Sequence, residues 1–289
     1  MTATPTTVDL HVHTCASDGG DTPDELVAAA ARAGLDLLAV TDHDTVEGVA
    51  AALEAGARLG VEVLPGCEVT GEVLGRVVHL LAYGDGLLAP GALERVTTVR
   101  RLRSERNHAI GRKLEAITGV GHRQAAALAG GAALSRAHFA RALVQHGTVT
   151  SVAEAFDRYL SNGRPAYVPA PSLPVDEVVE LVHRLGGVVV LAHPGRLAPA
   201  EQERVVAEAI AAGVDGLEAW HSQHDADARQ RWLATVQRHG LLATGGSDYH
   251  GVHKPSVRLG SGTGGNVRVP PQIATELRAQ LAARALPTP

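Results

Sequence analysis

Short apolar runs alternate with amphipathic helical stretches from the start of the chain. Residues 7–13 predict a strand, and Thr22-Pro23-Asp24-Glu25 opens a helix, with Thr22 as cap, Pro23 in the first turn and Glu25 closing a capping box. Gly34 ends that helix. Residues 36–41 read as the next strand, 46–59 as a helix ended by Gly60, and 61–69 and 76–82 as two further strands. The rhythm then breaks. From about residue 90 to 162 the periodicity is helical, divided by Gly119, Gly130-Gly131 and Gly147 into about four helices. It resumes with helix 175–185, strand 187–192, helix 199–211, strand 216–220, helix 226–239 and strand 241–245. Strands alternating with helices imply a parallel sheet or barrel, an α/β fold. The helical block reads as an insertion, which divides the chain into a first barrel part (1–89), a helical cap domain (90–163) and a second barrel part (164–289).

Composition narrows the class. A hydrophobic fraction of 45% and a charged fraction of 20% suit a globular protein with a full core. The formal net charge of −5 argues against coating long duplex nucleic acid, which needs a basic face. No run approaches the ~20 apolar residues of a membrane span, and residues 1–7 lack the basic start and apolar run of a signal peptide. The two cysteines, Cys15 and Cys67, read as reduced thiols of a cytoplasmic protein. Histidine is the outlier, with 15 in the chain.

Those histidines fall at strand ends, where barrel chemistry gathers. The first strand closes on Asp9-Leu10-His11-Val12-His13, with Asp18 in the next loop; in a strand His11 and His13 point to one side and can reach one ion. Thr41-Asp42-His43-Asp44 ends the second, Gly66-Cys67-Glu68 the third, and His79 lies on the fourth. After the insertion come Ala192-His193-Pro194-Gly195 and Gly246-Ser247-Asp248-Tyr249-His250. A lone histidine reads as a semi-buried packing residue. Nine metal-capable residues on successive strand ends read as a site: His11, His13, Asp18, His43, Glu68, His79, His193, Asp248 and His250. One ion cannot use so many ligands, and ions sharing bridging carboxylates can.

At these motifs the chain resembles the PHP (polymerase and histidinol phosphatase) family, from about residue 8 to 260. The resemblance implies a distorted seven-stranded (β/α) barrel holding two or three divalent ions. By position, His11, His13, Glu68 and Asp248 would hold the first, Glu68, His79 and His193 the second, and Asp18, His43 and His250 the third. Mixed imidazole and carboxylate ligands suit manganese, iron or zinc better than calcium. Two such ions about 3.5–4 Å apart activate a shared water and stabilise both oxygens of an in-line displacement at phosphorus, which makes a metal-bridging hydroxide the expected nucleophile. Asp42 or Asp44 would orient an imidazole.

Phosphate also calls for cationic contacts. Arg164, where the insertion returns to the barrel, Arg136 within the insertion, and His253-Lys254 beyond the last metal motif are the candidates, with His221 as a polar contact or proton donor. Arg164 and His221 are the two expected to act in catalysis. The barrel with a helical insertion ending in Pro165-Ala166-Tyr167-Val168-Pro169 resembles the subgroup that removes the 3′-phosphate of nucleoside 3′,5′-bisphosphates, close relatives of which trim short RNA from its 5′ end. A helical cap would favour a small substrate, a nucleotide or a short oligonucleotide end. Three rivals remain. Histidinol phosphate phosphatase is the same chemistry on another ester. An amidohydrolase with a carbamylated lysine bridge fits poorly, since neither Lys113 nor Lys254 occupies the bridging place that Glu68 fills. A non-catalytic regulatory PHP module usually loses ligands, and this chain loses none. His108, His122, His138, His146, His183 and His239 lie on helical patterns and read as surface or packing residues.

Overall fold

A computed structural model describes residues 7–129, 134–169 and 171–285. The chain enters through β1 (Val8–Val12), buried along its whole length. It then forms α1 (Pro23–Ala33), whose start is closed reciprocally: the Glu25 N–H donates to Thr22 Oγ1 at 3.3 Å and the Thr22 N–H donates to Glu25 Oε2 at 2.9 Å. β2 (Leu37–Val40), α2 (Val49–Leu59), β3 (Glu62–Val73) and β4 (Arg76–Tyr83) follow. β1, β2 and β3 pair in parallel. No helix separates β3 from β4, so β4 folds back antiparallel through a turn at Leu74 and Gly75, both at positive φ.

The described residues form two compact units, one of residues 7–96 and 172–285 and the other within 97–171. The second contains most of α3 (Glu94–Thr118), then α4 (His122–Ala129), α5 (Arg136–Gln145), α6 (Val152–Ala155) and a π-helical turn, Phe156–Leu160. Its own core is built from Ile110, Leu114, Val120, Phe139, Leu143 and Leu160. The break expected at Gly130-Gly131 lies outside the described residues.

The first unit resumes with β5 (Leu173–Pro174), a two-residue strand beside β3, then α7 (Val175–Arg184), β6 (Val188–Leu191), α8 (Pro199–Ala211), β7 (Gly216–His221), α9 (Ala226–His239) and β8 (Leu242–Gly246). A short hairpin of β9 (Val257–Arg258) and β10 (Gly262–Thr263) precedes α10 (Pro271–Arg284). The sheet order is β1-β2-β3-β4-β6-β7-β8. Past the end of β8 the Asp248 N–H donates to His11 O at 2.9 Å and the His13 N–H donates to Tyr249 O at 3.0 Å. Seven strands thus close nearly into a barrel, as expected, and β4, antiparallel to both neighbours, supplies the distortion. Val12, Leu26, Val27, Leu38, Val40 and Ala52 fill the layer between the sheet and α1 and α2. At the β1–β8 seam only glycine fits: a Cβ on Gly246 would lie 2.4 Å from both the N and the Cβ of His11.

Candidate metal centre

Glu68, buried in the middle of β3, is the hub. Its Oε2 lies 3.2 Å from His11 Nε2, 3.1 Å from His13 Nε2 and 3.3 Å from His43 Nδ1. Its Oε1 lies 2.9 Å from His79 Nδ1 and 2.8 Å from His193 Nε2. One carboxylate therefore meets five imidazoles. The backbone explains why: the Asp44 N–H donates to Glu68 O and the Glu68 N–H reaches Thr41 O and Asp42 O, which lays His43 beside Glu68 in a parallel bridge.

Two further carboxylates complete the nest. Asp248 Oδ1 lies 3.7 Å from His11 Nε2, 3.4 Å from His13 Nε2 and 3.4 Å from His250 Nδ1. Asp18 lies 3.4 Å from His13, 3.7 Å from His43 and 3.3 Å from His250. All nine residues picked from the strand ends are brought together in one place. Metal-capable groupings include His11 with His13 and Glu68, His43 with Glu68 and His79, and His13 with Asp18, His43 and His250. Three of the ligating loops are strained: Asp44, His193 and Asp248 have φ of 53°, 28° and 56°, values that side chains other than glycine avoid and that gather at functional sites.

The donors fit divalent ions. His11 Nδ1 donates to Glu218 Oε1 at 2.9 Å and His250 Nδ1 donates to Asp248 O at 2.8 Å, so each ring turns the Nε2 lone pair inward. The Nε2 atoms of His11 and His13 come within 3.2 Å of each other. The buried Nδ1 atoms of His13 and His79 have no well-aligned hydrogen bond, although a carboxylate oxygen lies near each. Such convergence of lone pairs suits a cation between them.

The electrostatics agree. Burial pushes the Glu68 carboxyl up, and His43, His11 and His79 more than reverse this, holding it well below the usual carboxylate range. Asp248 is also held well down, with hydrogen bonds to His13 and His221 outweighing burial. Asp18 is lowered, chiefly by His250 against its own burial. Burial opposes the charge on His11 and His13, yet Glu218 and Glu68 raise His11 well above its ordinary value, and Asp248 and Glu68 raise His13 to about 9. Burial wins at His43 and His193, each lowered to about 3. Several ionised carboxylates in a buried nest require positive charge, which protons or divalent cations supply.

Three participants escape the sequence reading. Glu218, fully buried in β7, orients His11 and accepts the His193 N–H on Oε2 at 2.7 Å. A carboxylate inside Gly216-Leu217-Glu218-Ala219 was the available signal, since a buried Glu needs a partner. His224 and Arg196, the other two, flank the His193 turn. Asp42 and Asp44 prove to bind loops: Asp42 accepts from Thr14 and Ser17, and Asp44 accepts the Thr70 N–H at 2.7 Å and its hydroxyl at 2.9 Å.

A register shift between Glu218 and Trp220 lets Glu218 and His221, three residues apart, both face inward. His221 Nδ1 accepts the Gln223 N–H at 3.1 Å, which leaves the proton on Nε2, 3.3 Å from Asp248 Oδ2. Lys254 Nζ donates to that same oxygen at 2.8 Å, and His253 is exposed. Within the second unit, Arg136 lies over the rings of Phe156 and Tyr167 and donates to Leu160 O at 3.3 Å, while Arg164 pairs with Asp157 at 2.8 Å. His108 and His122 stack there at 3.9 Å.

A nearly closed α/β barrel whose strand ends converge on shared carboxylates and imidazoles defines a metal-dependent phosphoesterase fold. The chain belongs to the PHP domain family, which matches residues 9–162. It is 35% identical over 247 residues to the 5′-3′ exoribonuclease Rnm of Escherichia coli strain K12, covering 84% of each chain. It is 36% identical over 247 residues to the 3′,5′-nucleoside bisphosphate phosphatase of Chromobacterium violaceum, covering 84% of this chain and 87% of that one. Among solved structures, a protein of Bifidobacterium adolescentis described as a metal-dependent phosphoesterase superposes with a TM-score of 0.72 at 34% identity, over 94% of this chain and 96% of that one. Among the described residues no helix is long and apolar enough to cross a membrane.

Proposed function

We propose that this protein is a hydrolase of phosphoester bonds that removes the 3′-phosphate of nucleoside 3′,5′-bisphosphates and trims 5′-phosphorylated short RNA, working in the cytoplasm. The observation that carries the reading is Glu68 ringed by five imidazoles at the strand ends of a PHP barrel. The similarity to a bisphosphate phosphatase and a 5′-3′ exoribonuclease favours a nucleotide over histidinol phosphate.

Two or three ions of manganese, iron or zinc would be held by the nine residues, His11, His13, Glu68 and Asp248 for the first, Glu68, His79 and His193 for the second, Asp18, His43 and His250 for the third. Bound there, they supply Lewis acidity toward phosphate oxygens and a water acidic enough to ionise near neutral pH. The chain's own groups do the rest. Glu218 and the Asp248 carbonyl fix the ring protons of His11 and His250 away from the centre. Gln223 does the opposite for His221, keeping its proton on Nε2 at the centre's edge, where it serves as a donor to a phosphate or leaving-group oxygen. Lys254 brings a positive charge beside it. Arg136 and Arg164, with His253, are the remaining proposed phosphate contacts, the two arginines through the fork geometry of guanidinium.

The test is phosphate release by manganese-reconstituted protein from a nucleoside 3′,5′-bisphosphate, histidinol phosphate and a 5′-phosphorylated RNA oligomer, with His193→Ala in parallel. Turnover of the bisphosphate that disappears in the variant is the expected result. Turnover of histidinol phosphate alone would overturn the substrate. Silence on all three with metal bound would point to a regulatory module.

A further inference from the structure

The turn after β6 carries a cationic side chain that the reading so far leaves unused. Arg196 stands three residues past His193, and the backbone between them is pinned from several sides. The His193 N–H donates to Glu218 Oε2 at 2.7 Å, and the Arg196 N–H donates to His193 O at 2.9 Å. His224 Nδ1 donates to Ala219 O at 3.0 Å, which leaves its Nε2 as the acceptor for the Gly195 N–H at 3.1 Å. Gln202 Nε2 reaches Gly195 O at 3.3 Å and Leu197 O at 3.0 Å. A Cβ on Gly195 would lie 2.5 Å from the His224 ring, so the glycine permits this contact.

The side chain is held far less tightly than its backbone. It is 43% exposed, and its Nη1 lies 3.8 Å from Asp248 Oδ2, beyond hydrogen-bonding distance. Lys254 Nζ lies 2.8 Å from that same oxygen and is 35% exposed. Asp248 thus turns Oδ1 toward His11, His13 and His250, and Oδ2 toward buried His221 Nε2 at 3.3 Å and two partly exposed cations. One carboxylate oxygen cannot neutralise both, and the guanidinium keeps its forked donors available. Beside it is a cavity of about 200 Å³ whose lining includes His79, His193 and Arg196 together with Val77, Val78 and Leu197. That is smaller than the ~300–1,000 Å³ which encloses a drug-sized ligand. It suits one phosphorylated carbon end of a substrate.

We propose that Arg196 and Lys254 form the clamp for the scissile phosphate, a guanidinium fork and an ammonium brought to the rim of the centre by the outer oxygen of Asp248, with the adjoining carbon framework of the ester against Val77, Val78 and Leu197. The ligand class is a phosphate monoester dianion or free phosphate. This rests on the phosphoesterase reading for its place in catalysis, while anion binding can be measured without turnover.

The experiment uses full-length, manganese-loaded protein and inorganic phosphate as the probe, titrated calorimetrically into wild type, Arg196→Lys and Arg196→Gln. Metal content and thermal unfolding are recorded for each, and KM and kcat are measured on the bisphosphate. Replacing the guanidinium by an amide removes a charge-assisted fork, so Arg196→Gln weakens phosphate binding and raises KM roughly 10- to 100-fold, with metal content unchanged. Arg196→Lys keeps the charge without the fork and falls between. Lys254→Gln, in parallel, weakens phosphate as well. Wild-type phosphate affinity in Arg196→Gln overturns the clamp even if the bisphosphate is turned over. Lost phosphate affinity in a protein that hydrolyses none of the esters leaves the clamp standing and removes the function instead.

Discussion

Glu218→Gln is the sharpest probe of how the centre is built, because it changes almost nothing except the chemistry of one oxygen. Burial pushes the Glu218 carboxyl up and His11, followed by His221, pulls it down to about 2, so it is ionised. Its two oxygens accept from His11 Nδ1 at 2.9 Å and from the His193 N–H at 2.7 Å. A glutamine of the same shape offers one acceptor and one donor. The His193 N–H can only donate, so it claims the amide oxygen. The amide NH₂ then faces His11 Nδ1 and forces the ring proton onto Nε2, the atom aimed at Glu68 and His13. Loss of an orienting partner typically costs 10- to 100-fold in metal affinity, about 1.4–2.8 kcal/mol at ~1.4 kcal/mol per tenfold. A lost charge-assisted hydrogen bond, worth ~1.5–3 kcal/mol, gives the same scale independently. The assay is competition with a chromophoric chelator for manganese or zinc, with thermal unfolding to confirm the fold. Glu218→Asp, which keeps the charge at a shorter reach, should fall between. Metal affinity within about twofold of wild type in the glutamine variant, by the tenfold scale above, would refute the tautomer argument.

Three further outcomes are expected. Gly246→Ala forces a Cβ to within 2.4 Å of His11 backbone and side chain, and should cost about 1–3 kcal/mol in urea unfolding together with metal affinity; wild-type values for both would sink it. His138 Nδ1 accepts the Ser135 N–H in the cap of α5, and burial, then Arg141, lowers its pKa below the ordinary 6.5. The unfolded chain therefore binds the proton more readily, so this contribution is complete above pH 6.5 and fades as pH falls below it; His138→Asn should flatten that part of the stability profile. Removing metal with a chelator should abolish turnover and lower the unfolding free energy by about 2.7 kcal/mol relative to protein in metal at 100 times its Kd; unchanged stability would show that the nest does not bind the ion.

The sequence carried the fold and the ligands for the same reason: strand ends in a barrel are both the places where apolar runs stop and the places where ligands sit. His11, His13, His43, His193, Asp248 and His250 stand at or near such a stop and Asp18 in the loop beyond one, so their convergence was legible from the chain alone. Glu68 was expected at such a stop as well, yet β3 runs on to Val73 and leaves it mid-strand, as β4 leaves His79. The cap of α1 was legible too, since Thr22 and Glu25 act within one turn. What was hidden depends on partners distant in the chain. Glu218 looks like an ordinary polar position until His11, 207 residues away, closes on it. His224 and Arg196 matter only because the His193 turn is packed from the side by β7 and α8. Asp42 and Asp44, adjacent to His43, looked better placed than Glu218, yet Thr14, Ser17 and Thr70 take their oxygens. The reversal of β4 was readable in principle from the missing helix, although strand periodicity alone carries no direction.

The strain at His193 joins fold and site in one measurable quantity. Its φ of 28° and ψ of 58° lie where a Cβ is crowded, and the following Pro194 disfavours this helical-type region further. Beyond the turn's own bond from the Arg196 N–H to His193 O, two distant contacts reward the conformation: Glu218 accepting the His193 N–H, and Nε2 reaching Glu68 at 2.8 Å. Removing the imidazole removes the second reward and leaves the strain. Glycine normally destabilises a folded position by roughly 0.5–1 kcal/mol relative to alanine. At residue 193 that order should reverse, because alanine retains the crowded Cβ and glycine does not. His193→Gly and His193→Ala, compared metal-free by urea unfolding, should place the glycine variant at the higher midpoint although both lose the ligand. The alanine variant being the more stable would mean that the turn is unstrained, and that its bonds to Glu218, His224 and Gln202 hold a conformation the backbone already prefers.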